Sequence, residues 1–170
     1  MRDLSKEGGR ILVIQRFPWD LGVGATLNSL EESVLEKGAD SVVRKESVAT
    51  VLLVEDTEDT RQMMRRLLEM SGFRVVEAVN GRQAIELALE VRPQIILMDL
   101  SLPFIDGIAA TRQIRGTREL SKVPIVVVSA HDTTDFHNLA LDAGCNAYVT
   151  KPVNYPELEE LVNSLLASHS

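Results

Sequence analysis

Apolar residues in this chain recur as short unbroken runs that end abruptly in polar chemistry. The clearest is Gln94-Ile95-Ile96-Leu97-Met98-Asp99, four apolar side chains followed at once by a carboxylate. Such a run reads as a strand buried on both faces, the kind found in a parallel sheet. Val51-Leu52-Leu53-Val54 runs into Glu55-Asp56, and Ile125-Val126-Val127-Val128 runs into Ser129. A weaker run, Ala147-Tyr148-Val149, leads through Thr150 to Lys151-Pro152.

Between the runs the period changes from strand to helix. The first strand, 51–54, is followed by a helix over 58–70, with Thr57 as its cap and Ser71-Gly72 as its stop. Met63, Met64, Leu67 and Leu68 share its apolar side, and the Met63-Met64 pair reads as core. A strand over 73–77 precedes Asn80-Gly81, a helix over 82–91 and the boundary at Pro93. The strand over 94–98 leads into a loop holding Pro103 and Asp106-Gly107, then a helix over 108–115. Pro124 opens a strand over 125–128. Asp132 or Thr133 caps a fourth helix that ends at Gly144, and a strand over 146–149 follows. In the last helix Pro156 takes a first-turn position, and Leu158, Leu161, Val162 and Leu165 form the buried stripe.

Strand and helix thus alternate five times. That pattern predicts right-handed crossovers and an α/β fold, a parallel sheet covered on both faces. The expected architecture is a flavodoxin-like (βα)5 doubly wound sheet with strand order 2-1-3-4-5. Its ligand crevice opens where the winding reverses, with Glu55-Asp56 on one lip and Asp99 on the other.

The chain before residue 49 does not share this regularity. Ile11-Leu12-Val13-Ile14 suggests a short strand, Phe17-Pro18-Trp19-Asp20 a turn, and Asn28 or Ser29 the cap of a short helix closing at Gly38. These elements carry too little apolar surface for a core of their own. Residues 1–48 therefore read as an extension, flexible or loosely docked. A docking or oligomerisation arm is the functional alternative, and a biological start further along the chain is a third.

Charge narrows the function classes. With 170 residues, 45% hydrophobic and a net charge of −7, the chain has a globular composition and an acidic balance. Nucleic-acid binders carry a basic face, so no nucleic-acid partner is expected. One cysteine, Cys145, leaves no disulfide framework and no thiolate metal cluster, and it reads as a small buried apolar residue. No apolar run approaches a membrane span, and the first ten residues are too polar for a signal peptide. The expected setting is cytoplasmic, away from the membrane.

The gathered residues specify a chemistry. Two unit charges 4 Å apart cost about 4 kcal/mol at an effective dielectric near 20, so Glu55, Asp56 and Asp99 repel unless protons or a cation relieve them. Hard oxygen ligands with room for water suit Mg2+. A held phosphoryl group leaves an Asp99 oxygen as nucleophile, with the Ser129 hydroxyl and the Lys151 ammonium on the phosphoryl oxygens. Phosphoryl transfer asks mainly for such positioning and neutralisation.

From about residue 51 to 167 the chain resembles a bacterial response-regulator receiver domain, and residues 49–168 are assigned to it. Five signs carry the resemblance, in order at predicted strand ends: Glu55-Asp56, Met98-Asp99, Leu102-Pro103-Phe104-Ile105-Asp106-Gly107, Ser129-Ala130 and Lys151-Pro152. The expected strand order draws in part on the same resemblance. It implies that Asp99 is phosphorylated by a sensor histidine kinase or a histidine phosphotransfer protein. It also implies that Mg2+ is held by Glu55, Asp56, Asp99 and the Ser101 backbone carbonyl. Ser129 and Lys151 bind the phosphoryl group, Pro152 is cis, and Ser129 and Tyr148 form the switch, Tyr148 turning inward when Ser129 moves. Glu at 55 and Ser at 129 depart from the commonest family pattern.

Almost nothing follows the last helix, so the resemblance implies a stand-alone receiver with an N-terminal extension. It would act in two-component phosphorelay signalling by changing its protein contacts rather than by turnover. The face of the fourth helix, fifth strand and fifth helix is the expected site of a downstream protein target. Asp132, Asp135 and Asp142 make that face acidic, while Arg61, Arg65 and Arg66 lie on the first helix, beside which the family's phosphotransfer partners dock. The enzyme alternative is a haloacid-dehalogenase-like phosphatase with Asp99 as nucleophile. That family wants a second Asp two positions on, where this chain has Ser101. His131, His137 and His169 lack metal spacing and read as structural or exposed. His131, two residues past Ser129, is the candidate for tuning phosphate lifetime by steering water.

Overall fold

The structure is a computed structural model and describes residues 11–13 and 48–169. The helix expected near 28–38, the turn around Phe17-Pro18 and Trp19 lie outside the described residues. Eleven elements follow in chain order: β1 (Ile11–Val13), β2 (Thr50–Val54), α1 (Glu58–Met70), β3 (Arg74–Ala78), α2 (Gly81–Val91), β4 (Ile95–Met98), α3 (Gly107–Gly116), β5 (Ile125–Ser129), α4 (Thr134–Ala143), β6 (Ala147–Thr150) and α5 (Tyr155–Ser168).

One sheet orders the strands β1-β6-β5-β4-β2-β3. Strands β3, β2, β4, β5 and β6 are mutually parallel, which is the expected 2-1-3-4-5 winding. The sixth strand is an addition: β1 lies antiparallel on the outer edge of β6. The chain before residue 49 therefore contributes a strand to the sheet.

Alternate residues of each buried strand supply the two faces. Val51, Leu53, Ile95, Leu97, Val126 and Val128 pack with Met64 and Leu68 of α1 and the Leu158–Leu165 stripe of α5. Leu52, Val54, Ile96, Met98 and Ile125 pack with Ala84 and Ala88 of α2 and Ala110 and Ile114 of α3. Val127 and Tyr148 continue that second face under Ala140 of α4, with Leu100 and the buried Cys145. Continuous apolar runs are thus the sequence trace of a sheet with no wet face.

Three expectations are corrected. Met63 is exposed, 55%, because the buried stripe of α1 is Met64 and Leu68, one turn apart, and Met63 lies off it. Thr57 takes the N-cap position of α1, but its hydroxyl makes no capping bond and donates to Asp56 Oδ1 over 3.3 Å. The strand expected to start at Phe73 starts at Arg74. Phe73 N–H donates to Leu68 O and Gly72 N–H to Glu69 O, with Gly72 at φ 87°, so the Phe73 amide closes the helix instead of opening the ladder.

Arg115 ties the loops on the far side of the sheet together. Its guanidinium donates to Gly144 O (2.7 Å), Val123 O (2.6 Å) and Asn146 Oδ1 (2.6 Å). Burial holds its pKa below the usual arginine value, against a raising influence of Cys145.

Candidate functional site

Every strand end that the sequence reading marked as chemical lies at the carboxyl edge of the sheet. Glu55 follows β2, and its amide is fixed by Ala78 O over 3.0 Å. Asp99 follows β4, with its amide on Val54 O over 3.0 Å. Ser129 is the last residue of β5 and is fully buried. The Lys151 amide donates to Ser129 O over 2.8 Å, and the Lys151–Pro152 bond that follows is cis.

Glycines let the surrounding loops come this close. A Cβ at Gly107 would be driven into the carbonyl of Asp99, and a Cβ at Gly81 into that of Ile105. The β4–α3 loop is therefore clamped between Asp99 and the first residue of α2 by backbone contacts that exclude a side chain.

The acids converge. Glu55, Asp56 and Asp99 each offer a carboxylate oxygen, and these lie within 4.8 Å of one another. Glu55 and Asp99 are buried while Asp56 is exposed. The Lys151 ammonium bridges the two buried acids, 2.7 Å from Glu55 Oε2 and 3.1 Å from Asp99 Oδ2. Burial opposes the charge on Lys151, but the hydrogen bonds and negative charges of Glu55 and Asp99 outweigh it and hold its pKa above the usual lysine value. The remaining carboxylate oxygens take amides: Thr57 N–H donates to Glu55 Oε1 (3.2 Å) and Ser101 N–H to Asp99 Oδ1 (3.2 Å). The Asp56 carboxylate receives only the Thr57 hydroxyl among the described contacts, so it is the acid least relieved of repulsion.

This donor set fits a hard divalent cation. Three clustered carboxylate oxygens at a wet edge, with one ammonium among them, leave negative charge in excess and room for water ligands, as Mg2+ prefers.

Arg61 is a participant that the residue pattern did not reveal. Its Nη1 donates to the carbonyls of both Glu55 (3.0 Å) and Asp56 (3.1 Å), while its Nε lies 3.3 Å from Glu77 on β3. Its position in the first half of α1 was legible, but its target, backbone oxygens six and five residues earlier, was not. Arg65 also pairs with Glu77 and with Glu69, so much of the arginine charge on α1 is answered within the chain.

His131 Nε2 lies 3.3 Å from Ser101 Oγ, and its ring stacks on Phe136 with centroids 4.1 Å apart. The His131 amide donates to Ser129 Oγ over 3.2 Å. The Tyr148 hydroxyl donates to the His131 carbonyl over 2.6 Å, and Tyr148 is 1% exposed, so the aromatic expected to turn inward already lies inward in this structure. Burial pushes its phenol pKa up, against a lowering hydrogen bond from Ser129. His137 packs tilted on the Tyr148 ring at 4.3 Å, with Nε2 3.3 Å from Asp132 Oδ1. Asp132, Asp135 and Asp142 are exposed, as the acidic reading of that surface expected. Among the described residues, no helix is long and apolar enough to cross a membrane.

Comparisons with known proteins agree with this geometry. The family model for the response regulator receiver domain matches residues 51–163. The polar-differentiation response regulator DivK of Brucella anthropi is 35% identical over 117 residues, covering 69% of this chain and 95% of that protein. The receiver domain of the sensor histidine kinase PA1611 of Pseudomonas aeruginosa, solved with a magnesium ion coordinated in its active-site cleft, superposes with a TM-score of 0.68 at 33% identity, covering 71% of this chain and 99% of that one. A LuxR-family two-component response regulator from Aurantimonas is 37% identical, with a TM-score of 0.66 and coverage of 72% and 87%. The matching family is the receiver family and not the phosphatase alternative. A parallel sheet in the 2-1-3-4-5 order, with an acid crevice bridged by a lysine at its carboxyl edge and a family model spanning both, places this chain in the response-regulator receiver family of two-component signalling.

Proposed function

We propose that Asp99 is the phosphoryl acceptor of this receiver and that its donor is a histidine kinase or a histidine phosphotransfer protein. The observation that carries the reading is the Lys151 ammonium bridging Glu55 and Asp99 beside the exposed Asp56, an arrangement with negative charge to spare. An Asp99 oxygen attacks the phosphorus of the donor's phosphohistidine. The P–O bond forms as the P–N bond breaks, and the imidazole nitrogen leaves with the electron pair. Lys151 stays on Asp99 and then on the phosphoryl oxygens, and the Ser129 hydroxyl donates to another of them. Glu55, Asp56, Asp99 and the Ser101 carbonyl would hold Mg2+. That ion supplies charge neutralisation to the incoming phosphoryl group.

The output is a change in protein contacts. Ser129 and Tyr148 are linked through the two backbone groups of His131, so movement of Ser129 is transmitted to β6 and to the surface of α4, β6 and α5. A downstream protein, not a nucleic acid, reads that acidic surface, and the chain works in the cytoplasm as a switch rather than a turnover enzyme. We assign residues 49–168 to the receiver and 1–48 to its extension. Incubation with acetyl phosphate and Mg2+, read by intact mass, tests the acceptor. One added phosphoryl group that Asp99→Asn abolishes supports it, and an added group that survives in Asp99→Asn overturns it.

A further inference from the structure

Strand β1 has no part in the site chemistry. Ile11–Val13 runs antiparallel to β6 in the register Ile11↔Val149, Leu12↔Tyr148 and Val13↔Ala147. Of the five parallel strands, β3 and β6 form the two edges. A sheet edge offers a row of N–H and C=O groups to any extended segment, and added strands are held by that ladder. Only the β6 edge is covered by β1. Ile11 is partly buried against the core face that includes Val149, Leu158 and Leu161, so the strand has an apolar foothold besides its ladder.

The covered edge is also connected to the acid crevice. Strand β6 carries Tyr148 at its centre and runs on to Thr150 and Lys151. Tyr148 holds the carbonyl of His131, and Ser129 holds its amide. The residue opposite Leu12 is thus one bonded backbone unit away from Ser129. Three residues make a short ladder, which is what an exchangeable cover requires: a small bias from the site can then change its occupancy.

We propose that the β6 edge is a strand-addition site, that Ile11–Val13 covers it in cis, and that loading the Asp99 site weakens this cover so that an extended segment of a protein partner takes its place. The cover stands on the strand pairing alone. Its release rests on the reading of Asp99 as acceptor. The chain's own segment shows what the edge accepts: an apolar triplet in antiparallel register with Ala147–Val149. An extended partner segment with an apolar centre fits the edge.

The test is hydrogen–deuterium exchange by mass spectrometry on the full chain, with and without Mg2+ and BeF3−. It compares the wild type with Leu12→Pro, which removes an amide from the ladder, and Ile11→Asp, which removes the foothold. Both variants are expected to speed exchange across Ala147–Thr150 by about tenfold or more. Mg2+ with BeF3− is expected to do the same to β1 and β6 of the wild type. A labelled peptide of residues 10–16 should bind Leu12→Pro at least about tenfold more tightly than the untreated wild type, and the wild type should gain that binding with BeF3−.

If neither variant changes β6 exchange and the peptide does not tell variant from wild type, the cover is refuted. Protection of residues 11–13 that grows with protein concentration assigns the strand to a second copy and also refutes a cover in cis. A thermal shift with Mg2+ and BeF3− that is lost in Asp99→Asn reports the acceptor separately. With that shift present and β6 exchange unmoved, release fails and the acceptor stands. With no shift, the acceptor and the release fall together, while the two variants still decide the cover.

Discussion

The Lys151 ammonium lies nearer to Glu55, at 2.7 Å, than to Asp99, at 3.1 Å. It therefore bonds two buried carboxylates at once and leaves Asp56 to the solvent. Replacing Lys151 by Gln keeps the length of the stem but strands both acids. Such a loss costs about 1–3 kcal/mol for a pair that keeps some solvent access. Denaturant melts at neutral pH without Mg2+ should show that loss, and added Mg2+ should recover much of it. The pH dependence has a definite sign. The folded pKa of Lys151 is raised, so its stabilisation is complete below the unfolded lysine value of about 10.4 and is lost as pH rises through the folded value. Wild type should converge on Lys151→Gln only in strongly alkaline solution.

Asp56 is the acid that Lys151 does not reach. Asp56→Asn removes one of three mutually repelling charges while leaving both bonds of Lys151 in place. Without Mg2+ its melting temperature should rise, and its response to added Mg2+ should shrink. A melting temperature below that of wild type would contradict a crowded acid site.

Arg61 holds the backbone carbonyls of Glu55 and Asp56, and Glu77 holds Arg61. Partners behind a metal's ligands commonly matter by about 10–100-fold in affinity. Arg61→Gln should weaken Mg2+ binding by that order, measured by calorimetry, while Arg66→Gln on the same helix should not.

His131 reaches Ser101, whose amide donates to Asp99 Oδ1. His131→Ala should alter the lifetime of the acyl phosphate, followed by intact mass after removal of acetyl phosphate. An unchanged lifetime would show that His131 does not steer water there.

Gly107 approaches Asp99 more closely than any side chain permits. Gly107→Ala should displace the β4–α3 loop at a cost of about 1–3 kcal/mol, the usual range for overpacking, seen as a lower unfolding midpoint. The same substitution at Gly116, which has open space around it, should be close to neutral.

Much of the fold was legible because a buried parallel strand leaves a continuous apolar run, and a strand end at a ligand edge leaves a polar residue directly after it. Four such runs placed Glu55, Asp56, Asp99, Ser129 and Lys151 at one edge, and the structure brings the three acids and the lysine together there. Boundaries moved where a backbone group had a competing partner, as with the Phe73 amide. Met63 was misplaced because a pattern on one helix gives the direction of its stripe but not the width of the surface that receives it.

The sequence by itself determined the alternation of strand and helix, the carboxyl edge and the residue types gathered on it, since period and strand-end chemistry are local properties of the chain. Only the tertiary structure decided which acid the lysine holds more closely, that Arg61 reaches the Glu55 and Asp56 carbonyls, and that Ile11–Val13 closes the β6 edge. Those relationships join residues distant in sequence or groups on the backbone, and no local pattern of side chains encodes the register of a distant strand or the direction in which a carbonyl points.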